Sequence, residues 1–120
     1  MEKCILICDD HEAILEVTKL ILTREGYKVE TIKNSEGILD KIFEVNPDLI
    51  LMDLRIPKIG GEEATRQIKN HPETKHIPII IFSANNKGNE VAEKAGADGF
   101  LCKPYEISDL LEMIKVNTLN

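Results

Sequence analysis

Residues 47–53 read Pro-Asp-Leu-Ile-Leu-Met-Asp, and this stretch decides the fold. An apolar run, Leu49 to Met52, sits between a proline and a carboxylate. A run this short, bounded by a breaker, reads as a strand buried on both faces. A loop with Pro57, Gly60 and Gly61 follows it.

Outward from this strand the same kind of run recurs. Residues 4–8 (CILIC), 79–82 (IIIF) and 99–102 (GFLC) are three more buried strands. Residues 28–32 (KVETI) alternate like a half-buried edge strand. Segments with helical spacing lie between them. Residues 12–25 carry Ile14, Leu15, Ile21 and Leu22 and stop at Gly26. Ser35 is placed to cap a helix bearing Ile38, Leu39 and Ile42, which ends at Pro47. A polar helix is expected over 62–70, and a weakly apolar one over 87–95, closed by Gly96. A final helix carries Ile107, Leu110, Leu111 and Ile114.

Strands alternating with helices predict an α/β fold with a parallel sheet covered on both faces, three layers in all. Right-handed crossovers can cover both faces only if the winding reverses once. The flavodoxin-like order 2-1-3-4-5 does this between the first and third strands, and ligands bind beyond the strand ends at that reversal. With 120 residues and no linker or repeat, the chain is expected to be one domain, 1–120.

Composition narrows the function. The chain is 42% hydrophobic but only 4% aromatic, so the core must be aliphatic. A net charge of −6 without a Lys/Arg cluster argues against direct nucleic-acid binding. No apolar run approaches a membrane span, so no membrane role is expected. Cys4, Cys8 and Cys102 are odd in number and lack paired spacing, as in a protein of the reducing cytoplasm. Cys4 and Cys8 read as small buried hydrophobes rather than as soft metal ligands.

Polar residues stand at the strand ends. The first strand runs into Asp9-Asp10, the third into Asp53, the fourth into Ser83, and the fifth into Lys103-Pro104. Singly, an Asp there is an ordinary cap or turn residue, and a Lys a solvated charge. Together they converge on the edge where this fold binds ligands. Crowded carboxylates repel, and either a proton or a cation relieves them. An all-oxygen acidic site suits a hard divalent ion, Mg²⁺ when phosphate is also handled. A cation and Lys103 would neutralise a phosphoryl group, Ser83 would donate to it, and a carboxylate can hold it covalently.

The stretches ILICDDHEAI, PDLILMDLRIPKIGGEE, IPIIIFSA and ADGFLCKPYE resemble the receiver domains of two-component response regulators, over essentially the whole chain. The resemblance implies a phosphorelay switch rather than an enzyme. Asp53 is then the phosphoacceptor. Asp10, Asp53 and the Arg55 backbone carbonyl bind Mg²⁺ or Mn²⁺, and Asp9 acts through a water. Ser83 and Lys103 hold the phosphoryl group, and the Lys103-Pro104 bond is cis. Ser83 moves on phosphorylation, Phe100 turns inward behind it, and partners read the fourth helix, fifth strand and fifth helix. Arg55 and Asn85 flank the attacking water and set the phosphoryl lifetime, in a direction the sequence leaves open.

The partners implied are a histidine kinase or phosphotransfer protein and a downstream effector protein, bound by a monomer or a phosphorylation-dependent dimer. The chain is expected to act alone or as a piece of a larger protein. His11 is expected to open the first helix and face solvent, a role as ligand or base being the alternative. Three rival readings fit the sequence less well. A haloacid-dehalogenase-like phosphatase needs an acid two residues after its nucleophile, where Arg55 stands. A flavodoxin-like electron carrier needs a hydroxyl-rich phosphate loop where Asp9-Asp10 stands. A structural adaptor would not need the full constellation.

Overall fold

The computed structural model describes residues 2–84 and 87–119. The strands are β1 (Cys4–Cys8), β2 (Lys28–Ile32), β3 (Leu49–Asp53), β4 (Ile79–Ser83) and β5 (Gly99–Cys102). The helices are α1 (Glu12–Arg24), α2 (Ile38–Val45), α3 (Gly60–Asn70), α4 (Gly88–Ala95) and α5 (Ile107–Asn117). All strand pairs are parallel, in the order β2-β1-β3-β4-β5. The flavodoxin-like α/β architecture expected from the sequence is the one observed.

Strand periodicity sorts the core into two layers. Leu6, Cys8, Ile50, Met52, Ile79 and Ile81 face Ile38 and Ile42 of α2, Ala64 and Ile68 of α3 and Ala92 of α4. Ile5, Ile7, Leu49, Leu51, Ile80 and Phe82 face Leu15 and Leu22 of α1 and Leu110 and Ile114 of α5. Every residue of β1, β3 and β4 is buried, whereas the edge strand β2 is half-buried. That matches the continuous apolar runs of the three central strands and the alternation in β2.

Local differences from expectation occur at element ends. Strands β3 and β4 each run one residue further than their apolar runs, so Asp53 and Ser83 are terminal strand residues. Helix α3 starts at Gly60, two residues early. Ser35 does not cap α2. Gly37, with φ +67, takes that position and offers no side-chain cap. Ser35 is instead buried against the loop after β3. Its backbone N–H and its hydroxyl both donate to the Pro57 carbonyl, at 3.0 and 2.8 Å, and its Oγ accepts from the Ile59 N–H at 2.9 Å. A hydroxyl that can meet two partners in a buried site serves the loop better than a helix end already handled by a glycine.

The same loop depends on Gly61. Its N–H donates to the Leu54 carbonyl at 2.9 Å. A Cβ there would lie 2.5 Å from the Asp53 carbonyl oxygen and 2.7 Å from the Leu54 Cα. The first turn of α3 thus rests directly on the backbone that ends β3. Gly61→Ala is expected to lower stability by about 1–3 kcal/mol, the usual range for overpacking against atoms that cannot swing away. Urea unfolding checks it, and an unchanged midpoint would show that this loop can yield.

Candidate functional site

The carboxyl edge of the sheet gathers side chains from four strand ends. After β1, the Asp9 N–H extends the ladder by one step to the Ile32 carbonyl, at 3.1 Å, and its side chain is fully buried. Asp9 Oδ1 accepts the His11 backbone N–H at 2.9 Å. Asp9 Oδ2 is buried without a hydrogen bond. Asp10 is the exposed member of the pair, with 42% of its side chain accessible. Asp53 ends β3 and is 3% exposed. Its Oδ1 accepts the Arg55 backbone N–H at 3.3 Å, while its Oδ2 is also buried without a hydrogen bond.

Lys103 is the cation that approaches these two carboxylates after β5. Its N–H donates to the Ser83 carbonyl at 2.8 Å, which ties it to the end of β4. The bond from Lys103 to Pro104 is cis. The ammonium lies 4.6 Å from the centroid of the Phe82 ring, 3.8 Å from Asp9 Oδ2 and 4.0 Å from Asp53 Oδ1. Burial pushes the Asp53 carboxyl above its ordinary value. Lys103 and the Arg55 N–H oppose that shift, and the neighbouring Asp9 adds to it.

The donor set fits a divalent cation. One ligand atom each from Asp9, Asp10, His11 and Asp53 can be chosen so that all lie within 4.8 Å of one another. The two buried carboxylate oxygens without hydrogen bonds belong to this group. Three carboxylates, two of them near one lysine, leave negative charge that a hard ion with oxygen preference would offset.

The structure brings Asp9, Asp10, Asp53, Ser83 and Lys103 to one edge, as the sequence predicted. Ser83 is buried at the end of β4. Arg55 is exposed and contributes only its backbone N–H to Asp53. Phe100 is half-buried against the core layer of α2, α3 and α4. Its ring occupies the notch left by Gly88, where a Cβ would come within 2.7 Å of the ring and 3.3 Å of the Ser83 Cβ. Asn85 lies outside the described residues. Cys4 and Cys8 are free and buried, as expected, and burial together with Asp9 raises the Cys8 thiol far above its ordinary value.

His11 opens the first helix and remains largely exposed, as expected, yet it also approaches the acidic edge. It precedes α1, with extended φ −84 and ψ 101, and its ring turns back over the acidic edge. Its Nδ1 is 3.0 Å from Asp9 Oδ1, 3.4 Å from Asp10 Oδ1 and 3.9 Å from Asp53 Oδ2, although 60% of the side chain remains accessible. The signal available in the sequence was its position directly after the acidic pair. Periodicity says nothing about where a side chain points at a helix boundary.

A five-stranded parallel sheet in this order, with an acidic cluster and a lysine at its switch point, defines a class of signalling domain. The profile of the response regulator receiver domain matches residues 5–115, and the chain belongs to that family. It is thereby a receiver domain of two-component signalling. The chain is 34% identical over 119 residues to the polar-differentiation response regulator DivK of Brucella ovis, covering 96% of this chain and 95% of that one. It is 35% identical over 116 residues to the CAI-1 autoinducer sensor kinase/phosphatase CqsS of Vibrio cholerae, covering 94% of this chain but only 17% of that protein. Among solved structures, a putative response regulator from Chloroflexus aurantiacus superposes with a TM-score of 0.93 at 28% identity, covering 98% of both chains. The receiver domain of the Pseudomonas aeruginosa sensor histidine kinase PA1611 superposes with a TM-score of 0.89 at 27% identity and 98% coverage of both chains. That crystal structure has a magnesium ion coordinated in its active site cleft. No helix among the described residues of the present chain is long and apolar enough to cross a membrane.

The raised Asp53 carboxyl has a consequence for stability. A folded-state pKa above the unfolded one means that the folded state holds the proton more tightly, so ionisation at neutral pH costs stability. In a chelator, Asp53→Asn is expected to be more stable than wild type at neutral pH. The gap should narrow as pH falls through the raised folded value and vanish below the ordinary 3.8. Urea melts across that pH range check it, and a variant no more stable than wild type at neutral pH would contradict it.

Proposed function

We propose that Asp53 accepts a phosphoryl group from a phosphohistidine of a histidine kinase or phosphotransfer protein. One observation carries this reading: Asp53 is buried at a strand end, with one oxygen lacking a hydrogen bond, between an acidic pair and a lysine. A carboxylate oxygen of Asp53 attacks phosphorus, the P–N bond breaks, and the donor imidazole nitrogen leaves with the bonding pair. The product is an acyl phosphate on Asp53.

Lys103, already 4.0 Å from Asp53 Oδ1, balances the incoming charge, and the Ser83 hydroxyl donates to a phosphoryl oxygen. Arg55 fixes the carboxylate through its backbone N–H, and its exposed side chain, with Asn85, modulates access of water to the acyl phosphate. Asp10, Asp53 and the Arg55 carbonyl would hold a Mg²⁺ or Mn²⁺ ion, with Asp9 acting through a water, and the bound ion would supply positive charge to offset the phosphoryl oxygens.

The phosphoryl group brings close to two negative charges and strong acceptors to the end of β3. Ser83, drawn toward it, carries the loop after β4. Gly88 lies against both Ser83 and Phe100, so the start of α4 follows that movement. The surface of α4, β5 and α5 is then what a downstream effector protein reads, bound by a monomer or a phosphorylation-dependent dimer in the cytoplasm. The domain spans residues 1–120 and works as a switch, with self-phosphorylation and slow self-dephosphorylation as its chemistry.

Incubation with acetyl phosphate and Mg²⁺, followed by intact mass measurement, tests the acceptor. Wild type should gain one phosphoryl mass, Asp53→Asn none, and chelation should abolish the gain. Equal labelling of both proteins would remove Asp53 from this role. Hydrogen exchange with and without beryllofluoride tests the switch. Protection should change across residues 84–106, and an unaltered pattern there would sink the output surface proposed.

A further inference from the structure

The imidazole of His11 adds something to the acidic edge that carboxylates do not, a nitrogen donor. The extended backbone at His11 places the ring beside Asp9, and the ring Nδ1 meets Asp9 Oδ1 at 3.0 Å while the backbone N–H donates to the same oxygen at 2.9 Å. The result is an Nδ1 that faces carboxylate oxygens of Asp9, Asp10 and Asp53 at once, at 3.0, 3.4 and 3.9 Å. Two of these three residues are nearly or fully buried, and each keeps one oxygen without a hydrogen bond in this group. Those orphaned oxygens mark a space meant for a charged guest rather than a closed hydrogen-bond network.

The spacing suits shared ligation. With metal–ligand bonds of about 2.1 Å, adjacent ligands of an octahedron lie about 3.0 Å apart and opposite ones about 4.2 Å. The separations of His11 Nδ1 from Asp10 Oδ1 and Asp53 Oδ2, 3.4 and 3.9 Å, fall within that span. When the ring proton is on Nε2, the Nδ1 lone pair is available to an ion.

The chemistry of that donor selects among ions. Mg²⁺ prefers oxygen and gains little from imidazole, whereas Mn²⁺, Co²⁺ and Ni²⁺ gain progressively along the Irving–Williams order. We propose that His11 is a further ligand at the cation site of this receiver domain and biases it toward first-row transition ions over Mg²⁺. The proposal rests on the cation site of the function proposed above. A different role for the ring, a hydrogen bond over Asp9 alone, would treat all divalent ions alike.

Calorimetric titration of the full chain with Mg²⁺, Mn²⁺ and Ni²⁺ tests it, on wild type, His11→Ala and His11→Asn. Asn is a favoured helix cap and leaves α1 its start, so it guards against a trivial folding effect. Both variants should bind Mn²⁺ and Ni²⁺ about tenfold or more weakly, with Mg²⁺ affinity changed by no more than about twofold. Pulsed electron paramagnetic resonance of the Mn²⁺-loaded protein gives an independent readout. Wild type should show nitrogen-14 modulation from a bound imidazole, and both variants should lack it. Equal weakening for all three ions, or no modulation in wild type, overturns the proposal. Failure of wild type to bind any of the ions overturns this proposal together with the cation site it rests on. Asp53→Asn labelled as readily as wild type, with the nitrogen signal intact, overturns the acceptor assignment and leaves His11 as a ligand.

Discussion

The buried carboxylates of Asp9 and Asp53 set the terms for everything around them. Each has an oxygen shielded from water and without a hydrogen bond, and one ammonium stands about equally far from both residues. Ionised groups in that position are costly unless compensated, so the site is held short of electrostatic balance. A guest cation, a proton or a tetrahedral phosphoryl group answered by lysine and hydroxyl each change that balance.

The fold supplies the rigidity that such a site demands. Strands β1, β3 and β4 are buried along their whole length between two aliphatic layers, and their register fixes which residues reach the edge together. Asp53 pairs across the ladder with Phe82, one residue before Ser83, and Ser83 pairs with Cys102, one residue before Lys103. Asp53, Ser83 and Lys103 therefore step across neighbouring strands in fixed register. Gly61 and Ser35 extend this control to the loop after β3, one by letting α3 touch the strand backbone, the other by holding Pro57 and Ile59.

Most of this was legible in the sequence because it follows from strand period and strand ends. A fully apolar run can only be a covered strand, and a polar residue at its end can only sit at the sheet edge. What escaped depends on partners far away in the chain. Ser35 has the chemistry of a helix cap, yet its partners are Pro57 and Ile59, more than twenty residues on. Gly37 could take a left-handed conformation and made the cap dispensable. His11 starts the helix and stays exposed, as its position implies, but the reach of its ring Nδ1 to Asp9 Oδ1 is not visible in the sequence. Both features are side-chain directions at helix boundaries, where no periodicity operates.

Helix α4 buries only Gly88, Ala92 and Ala95, whereas α1 buries Leu15, Thr18 and Leu22. Apolar area is what anchors a helix to its sheet, so α4 is held by far less than α1. At its first residue, Gly88, an added Cβ would meet the Phe100 ring at 2.7 Å and the Ser83 Cβ at 3.3 Å. A glycine there admits the ring. The weakest-anchored helix thus begins against the end of β4, and the aliphatic layers hold the rest of the sheet around it.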